Sequence, residues 1–299
     1  MRWEKLLLRP ALANATATLP PPTAIPIFVY GTAWKKEQTA DLVYQALSAV
    51  FTGIDTAAQP KHYREDLVGE GLRRALAEGK AKREGGYKPN TRRLERKIST
   101  QSPMTPPLQS QLRPRNDASS ETDTYLDALV LHSPLLTINE TLEAWTALEQ
   151  YVPHKMRNLG ISNCDLPVLK ALDSSTKVEP AVVQNRFYPV SKFDVGLRQF
   201  CCKNYIVYQS FWTLAANPEL VWSTEVGLLS QQARISPQAA LYCLVLGLGG
   251  TVMLNGTKNE GRMLADLATP KAVEEFSAKY PEQWDRILGG FKKRIGETE

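Results

Sequence analysis

The stretch GIDTAAQPKHYREDLVGEGLRRALAEG, residues 53–79, decides the fold. Its opening GIDTA reads as a strand end and carries a carboxylate, Asp55. A loop with Tyr63 follows. REDLVGEGLRRALAEG then spaces its apolar residues three and four apart, the period of an amphipathic helix. Gly79 closes that helix. One strand, one loop bearing polar chemistry and one helix make a βα unit.

The same unit recurs on both sides. IPIFVYG (25–31) reads as a strand and EQTADLVYQALSAVF (37–51) as a helix. Downstream, YLDALVLHSP (125–134) is a strand before the helix INETLEAWTALEQYV (138–152), with Asn139 expected as its N-cap. RNLGISN (157–163) precedes LPVLKALDSS (166–175), and AVVQNRFYP (181–189) precedes DVGLRQFCCKN (194–204). IVYQSFWTL (206–214) and TVMLNG (251–256) are strands. SPQAALYCLVLGL (236–248) is a helix with Pro237 in its first turn, and NEGRMLADLA (259–268) is another. Residues 269–299 read as one or two closing helices.

Strands alternating with helices imply βαβ units and a parallel sheet. The strand count approaches eight, and 299 residues suffice for a closed barrel, which needs about 250. The expected fold is therefore α/β, a (β/α)8 barrel forming a single domain over residues 1–299. YGTAWKK is not G-x-G-x-x-G, which argues against a doubly wound dinucleotide fold. Residues 80–122 break the pattern, being rich in Pro, Ser, Gln and Arg with no strand or helix period. The third strand and helix, over about 84–122, are expected to be aberrant or disordered.

Composition narrows the class. The chain is 43% hydrophobic and 22% charged, ordinary for a soluble globular protein. A net charge of +5 with no basic run interleaved with aromatics argues against nucleic-acid binding. The longest apolar run, residues 240–254, is broken by glycines, so no membrane span is expected. Four cysteines match no zinc spacing, so no metal is expected, and reduced thiols point to the cytoplasm.

The chemically capable side chains gather at strand C-termini: Asp55, His132, Ser162, Asn163, Gln184 and Asn185. That is the end of an α/β barrel where active sites are built. DTAAQPKHYREDLVG resembles the aldo-keto reductase family, in the filamentous-fungal pattern DTAxQxKHYxExLVG. LVLHSP, NLGISN, VEPAVVQNRFY, VYQSFWTLAANPEL and LNGTKNEGRM extend the resemblance over about 25–83 and 123–268.

The resemblance implies NADPH-dependent reduction of an aldehyde or ketone group on a small, apolar metabolite by a monomeric protein. Tyr63 would donate the proton, Asp55 support it and His132 orient the carbonyl. A tyrosine of pKa about 10 needs a nearby cation for that work. The family carries this lysine on a strand ending T-K-[FY], a triplet missing here. Lys88 and Lys97 bracket the expected distance from Tyr63, and Lys97, in RKIST, is the better placed. Ser162, Asn163 and Gln184 would hold the nicotinamide carboxamide. Phe211 would stack on the ring, with Trp212 or simple core packing as alternatives. Thr257 and Asn259 would donate to the adenosine 2′-phosphate, and Lys258 and Arg262 would neutralise it. Should the lysine be lost, the alternative is a barrel that binds NADPH without turnover, as a regulatory or scaffold protein.

Overall fold

Strand β4 (Gly53–Ala57), buried at every residue, is the second stave of a closed barrel. The computed structural model describes residues 6–7, 24–81, 93–98 and 126–298. A short antiparallel pair, β1 (Leu6–Leu7) and β2 (Ala24–Ile25), comes first. The barrel strands are β3 (Phe28–Gly31), β4, β5 (Arg93–Ile98), β6 (Ala128–Leu131), β7 (Leu159–Ser162), β8 (Val182–Arg186), β9 (Val207–Phe211) and β10 (Thr251–Asn255). All pair in parallel, each with its neighbour in sequence, and β10 closes on β3. The helices are α1 (Thr39–Ser48), α2 (Glu65–Ala77), α3 (Ile138–Glu149), α4 (Leu166–Ser175), α5 (Val195–Lys203), α6 (Pro218–Val221), α7 (Thr224–Ala233), α8 (Pro237–Leu246), α9 (Glu260–Lys279) and α10 (Pro281–Arg294).

The expected (β/α)8 barrel is the fold observed. It differs from expectation in the third strand. Arg93–Ile98, read from the sequence as part of an aberrant segment, pairs with β4 on one side and β6 on the other. Without it those two strands would present unpaired edges, so closure favours a strand even where the sequence lacks an apolar alternation. Lys88 lies outside the described residues.

Local sequence explains the element ends. Gly79 takes a φ of +69° just past α2, as the chain leaves its helix. Gly71 lets α2 press against α1: a Cβ there would stand 2.5 Å from the Ala40 carbonyl oxygen. The cap of α3 is Thr137, not Asn139. Thr137 Oγ1 accepts from the Glu140 amide at 3.1 Å, and Glu140 Oε2 accepts from the Thr137 amide at 2.9 Å. This reciprocal capping box satisfies two donors, which a lone Asn139 inside the helix would not do. Ser236 caps α8, ahead of Pro237. Residues after 268 continue α9 to Lys279 and then form α10.

Ile25, Val29, Val182, Val207 and Val252 form a small apolar cluster with Leu6 against it, closing the N-terminal end of the barrel. A buried side chain of this kind contributes about 1.5–3 kcal/mol. The opposite, C-terminal end stays open. Among the described residues no helix is long and apolar enough to cross a membrane.

Candidate active site

A cavity of about 830 Å³ opens at the C-terminal ends of the strands. Asp55 lies beneath it, fully buried in β4. The Asp55 carbonyl accepts from the Thr32 amide at 3.1 Å and from Thr32 Oγ1 at 2.8 Å, which clamps the ends of β3 and β4 together. Asp55 Oδ1 accepts from Gln184 Nε2 at 3.1 Å. Tyr63 sits on the loop after β4, its amide bonded to the Gln59 carbonyl at 3.0 Å. It is buried and lines the cavity. Burial, and then the Asp55 charge, push its phenol well above the ordinary tyrosine value.

His132 follows β6 and also lines the cavity. Its carbonyl accepts from Asn163 Nδ2 at 2.8 Å, which ties the ends of β6 and β7. Asn163 holds a φ of +53°, a conformation that Asn tolerates better than most residues. Ser162 is fully buried, and its hydroxyl donates to the Gln184 carbonyl at 2.6 Å. Gln184 is equally buried. Its Nε2 also donates to Gln209 Oε1 at 2.5 Å, while among the described residues its own Oε1 has no donor. Of the proposed carboxamide-holding trio, only Asn163 reaches the cavity wall. Ser162 and Gln184 brace it from within the barrel.

Phe211 and Trp212 both line the cavity, edge to face at 6.4 Å. Trp212, with a φ of +57°, is half exposed at the mouth. Trp34 packs against His62 with the rings tilted by 40° and their centroids 3.9 Å apart. Thr257, Asn259 and Arg262 line the wall beyond β10. Asn259 Oδ1 caps α9 through the Arg262 amide at 2.9 Å. Lys258 is not among the lining residues: its Nζ lies 3.4 Å from Gln38 Oε1, near enough to Lys35 for its charge to be felt there. Lys97 lies on β5, in register with Ala57 and Val130, two residues beyond the Glu95 that pairs with Asp55.

The profile of the aldo/keto reductase family matches residues 28–216. The chain belongs to that family. The D/L-glyceraldehyde reductase of Hypocrea jecorina is 28% identical over 298 residues, covering 89% of this chain and 86% of its own length. The NAD/NADP-dependent indole-3-acetaldehyde reductase of Schizosaccharomyces pombe is 27% identical over 212 residues, covering 67% and 68%. Among solved structures, an aldo-keto reductase of the silkworm Bombyx mori, complexed with NADPH, superposes with a TM-score of 0.68 at 17% identity, covering 86% and 85%.

Within this aldo-keto reductase barrel, two basic cavity residues, Lys35 and Arg186, escaped sequence reasoning. Lys35 is buried, lines the cavity and donates from Nζ to the Gly256 carbonyl. Burial, and then the Lys258 charge, lower its pKa to about 8. Arg186, the last residue of β8, is the other. Both stand at or just past strand C-termini, and that position was the only available signal. A doubled lysine in TAWKK otherwise looks like solvated surface. Asn185, named with the strand-end polar residues, instead bonds the Cys164 backbone and Asp194.

Proposed function

We propose that this chain reduces the carbonyl group of a small aldehyde or ketone with NADPH, Tyr63 giving the proton. The observation that carries the reading is that Tyr63, His132 and Asn163 wall one cavity while the Asp55 carboxylate lies buried below it. Tyr63 is held in its protonated form by burial and by that charge, so its O–H is available to a carbonyl oxygen. His132 would orient the same oxygen and stabilise charge developing on it. Lys97, one strand over, would supply the cation that lets the phenol release its proton.

The residues present fit the cofactor. The cavity volume lies within the range of about 300–1,000 Å³ usual for ligand sites. Lys35 is a buried cation that pairs with no carboxylate among the described residues, as a phosphate-binding group would be. Asn259 and Arg262 stand at the N-terminus of α9, where free amides and the helix dipole favour an anion. These would hold the phosphates, and Thr257 keeps a hydroxyl hydrogen to donate. Asn163 would hold the carboxamide, with Ser162 and Gln184 fixing its place, and Phe211 would flank the ring. When bound, NADPH supplies the hydride. A single-domain monomer in the cytoplasm completes the reading, and four free thiols are compatible with a reducing compartment.

The test is a binding titration with NADPH beside an NADPH-oxidation assay on a generic aldehyde. Binding with turnover supports the reading. Binding without turnover would favour a regulatory or scaffold barrel.

A further inference from the structure

Arg186 is the one cationic side chain on the β8–β9 side of the cavity among its lining residues. Its Cζ lies 4.2 Å from the Trp212 ring centroid, 5.2 Å from that of Tyr188 and 5.6 Å from that of Phe211. The rings hold the charge by its face and consume none of its N–H groups. A guanidinium has five such donors in a rigid planar fork. Among the described residues Arg186 pairs with no carboxylate, and its Nε–H is buried without an acceptor. A buried donor left unsatisfied destabilises the fold. Packing alone therefore does not account for an arginine here, whereas an oxyanion entering the cavity would.

Its place separates it from the cations assigned to the cofactor. Lys35 follows β3 and bonds Gly256 after β10, and Arg262 lies in the first turn of α9. In the barrel order β9 stands between β8 and β10. The cavity thus has two basic centres, one by β10 and β3, the other by β8 and the aromatic residues Phe211 and Trp212. Trp34 and Trp212, 55% and 52% exposed at the mouth, offer apolar surface to the body of a ligand.

We propose that Arg186 sets specificity by pairing with a carboxylate on the carbonyl substrate. The preferred substrate is then a small aldehyde or ketone with an apolar body and a carboxylate. This rests on the carbonyl-reduction reading above and names its substrate class.

Two aldehydes of the same shape test it: para-carboxybenzaldehyde and its neutral counterpart, methyl para-formylbenzoate. With saturating NADPH, kcat/KM should favour the carboxylate by roughly ten- to a hundredfold, the worth of a charge-assisted hydrogen bond. Arg186→Gln should bring that ratio to about one, and Arg186→Lys should keep part of it, because the charge remains while the fork is lost. Calorimetric binding of para-carbamoylbenzoate, which carries no reducible aldehyde, to the NADP-loaded protein should weaken by the same factor in Arg186→Gln. Equal turnover of the two aldehydes by the unmodified protein overturns the proposal, as does a preference that survives Arg186→Gln. A matching loss of NADPH affinity in Arg186→Gln also overturns it, by assigning the arginine to a cofactor phosphate. Failure of both aldehydes to react would instead count against carbonyl reduction. The para-carbamoylbenzoate titration then decides the arginine's role alone: weakening in Arg186→Gln supports it, and no binding overturns it.

Discussion

Gln184 Nε2 donates to Asp55 Oδ1 at 3.1 Å, joining β8 to β4 across the barrel through residues 129 apart in the chain. The same amide nitrogen serves Gln209 Oε1. Gln184→Leu removes two buried hydrogen bonds, one of them to a carboxylate, at a cost of about 1–3 kcal/mol. The melting temperature should fall by several degrees. Gln184→Glu should be worse, because it sets two carboxylates side by side in the interior. Their folded-state pKa values would rise above the unfolded ones, so the folded state would hold extra protons and lose stability as pH rises. The Gln184→Glu deficit should therefore shrink on acidification towards pH 4, where the unfolded carboxyls also protonate. Melting curves across pH check both variants, and a Gln184→Leu melt matching the parent would remove the bond from the stability account.

Tyr63 sits above that carboxylate with its pKa driven up by burial and by Asp55. A phenol so placed keeps its proton and needs a cation to release it. Tyr63→Phe should lower kcat/KM by at least roughly a hundredfold, the lower bound for losing a positioned acid, with NADPH still bound. Lys97 is in register with Ala57, two positions beyond the Asp55 pair on the neighbouring strand. Lys97→Met should lower turnover by a similar factor. Full activity in Lys97→Met, measured as NADPH oxidation, would take that lysine out of the reaction.

Legibility differed between backbone and side chains for a physical reason. Strands such as Val182–Arg186 and helices such as Glu65–Ala77 announce themselves by period, because burial on one face repeats along the chain. Arg93–Ile98 has no such period, and its pairing is decided by the strands on either side. Tyr63, His132 and Asn163 could be picked from motifs at strand ends, and all three reach the cavity. Which of Ser162, Gln184 and Asn163 faces inward could not be read, because that depends on cross-barrel bonds between distant residues. Lys35 and Arg186 were missed since neither residue type reveals burial from its own sequence neighbourhood.

Arg262 and Lys258 looked equivalent in LNGTKNEGRM, yet Arg262 lines the cavity while Lys258 reaches towards Gln38. Arg262→Gln should raise the KM for NADPH by roughly tenfold and that for NADH far less, since only the former carries the additional phosphate. Lys258→Gln should change either by less than about threefold, as an exposed charge is screened. Equal effects of the two substitutions would return Lys258 to the phosphate site.

Lys35 puts stability and binding in opposition. Burial lowers its pKa from 10.5 to about 8, so between those values the unfolded chain holds a proton that the folded one has lost. Stability therefore rises with pH across that window, and the penalty for burying the charge is fully present below it. Lys35→Met removes the charge and also the bond to the Gly256 carbonyl. After that lost bond and solvent screening are discounted, the variant should be about 1–2 kcal/mol more stable at neutral pH. The advantage should shrink from pH 8 upward and be gone above 10.5, where the parent lysine is neutral in both states. NADPH affinity should move the other way, weakening by roughly tenfold at low salt, because a desolvated cation beside Gly256 and Thr257 is what a phosphate would meet there. Thermal melts from neutral to alkaline pH, paired with NADPH titrations, check both signs. A Lys35→Met protein that binds NADPH as tightly as the parent would leave the buried cation without a role in holding the cofactor.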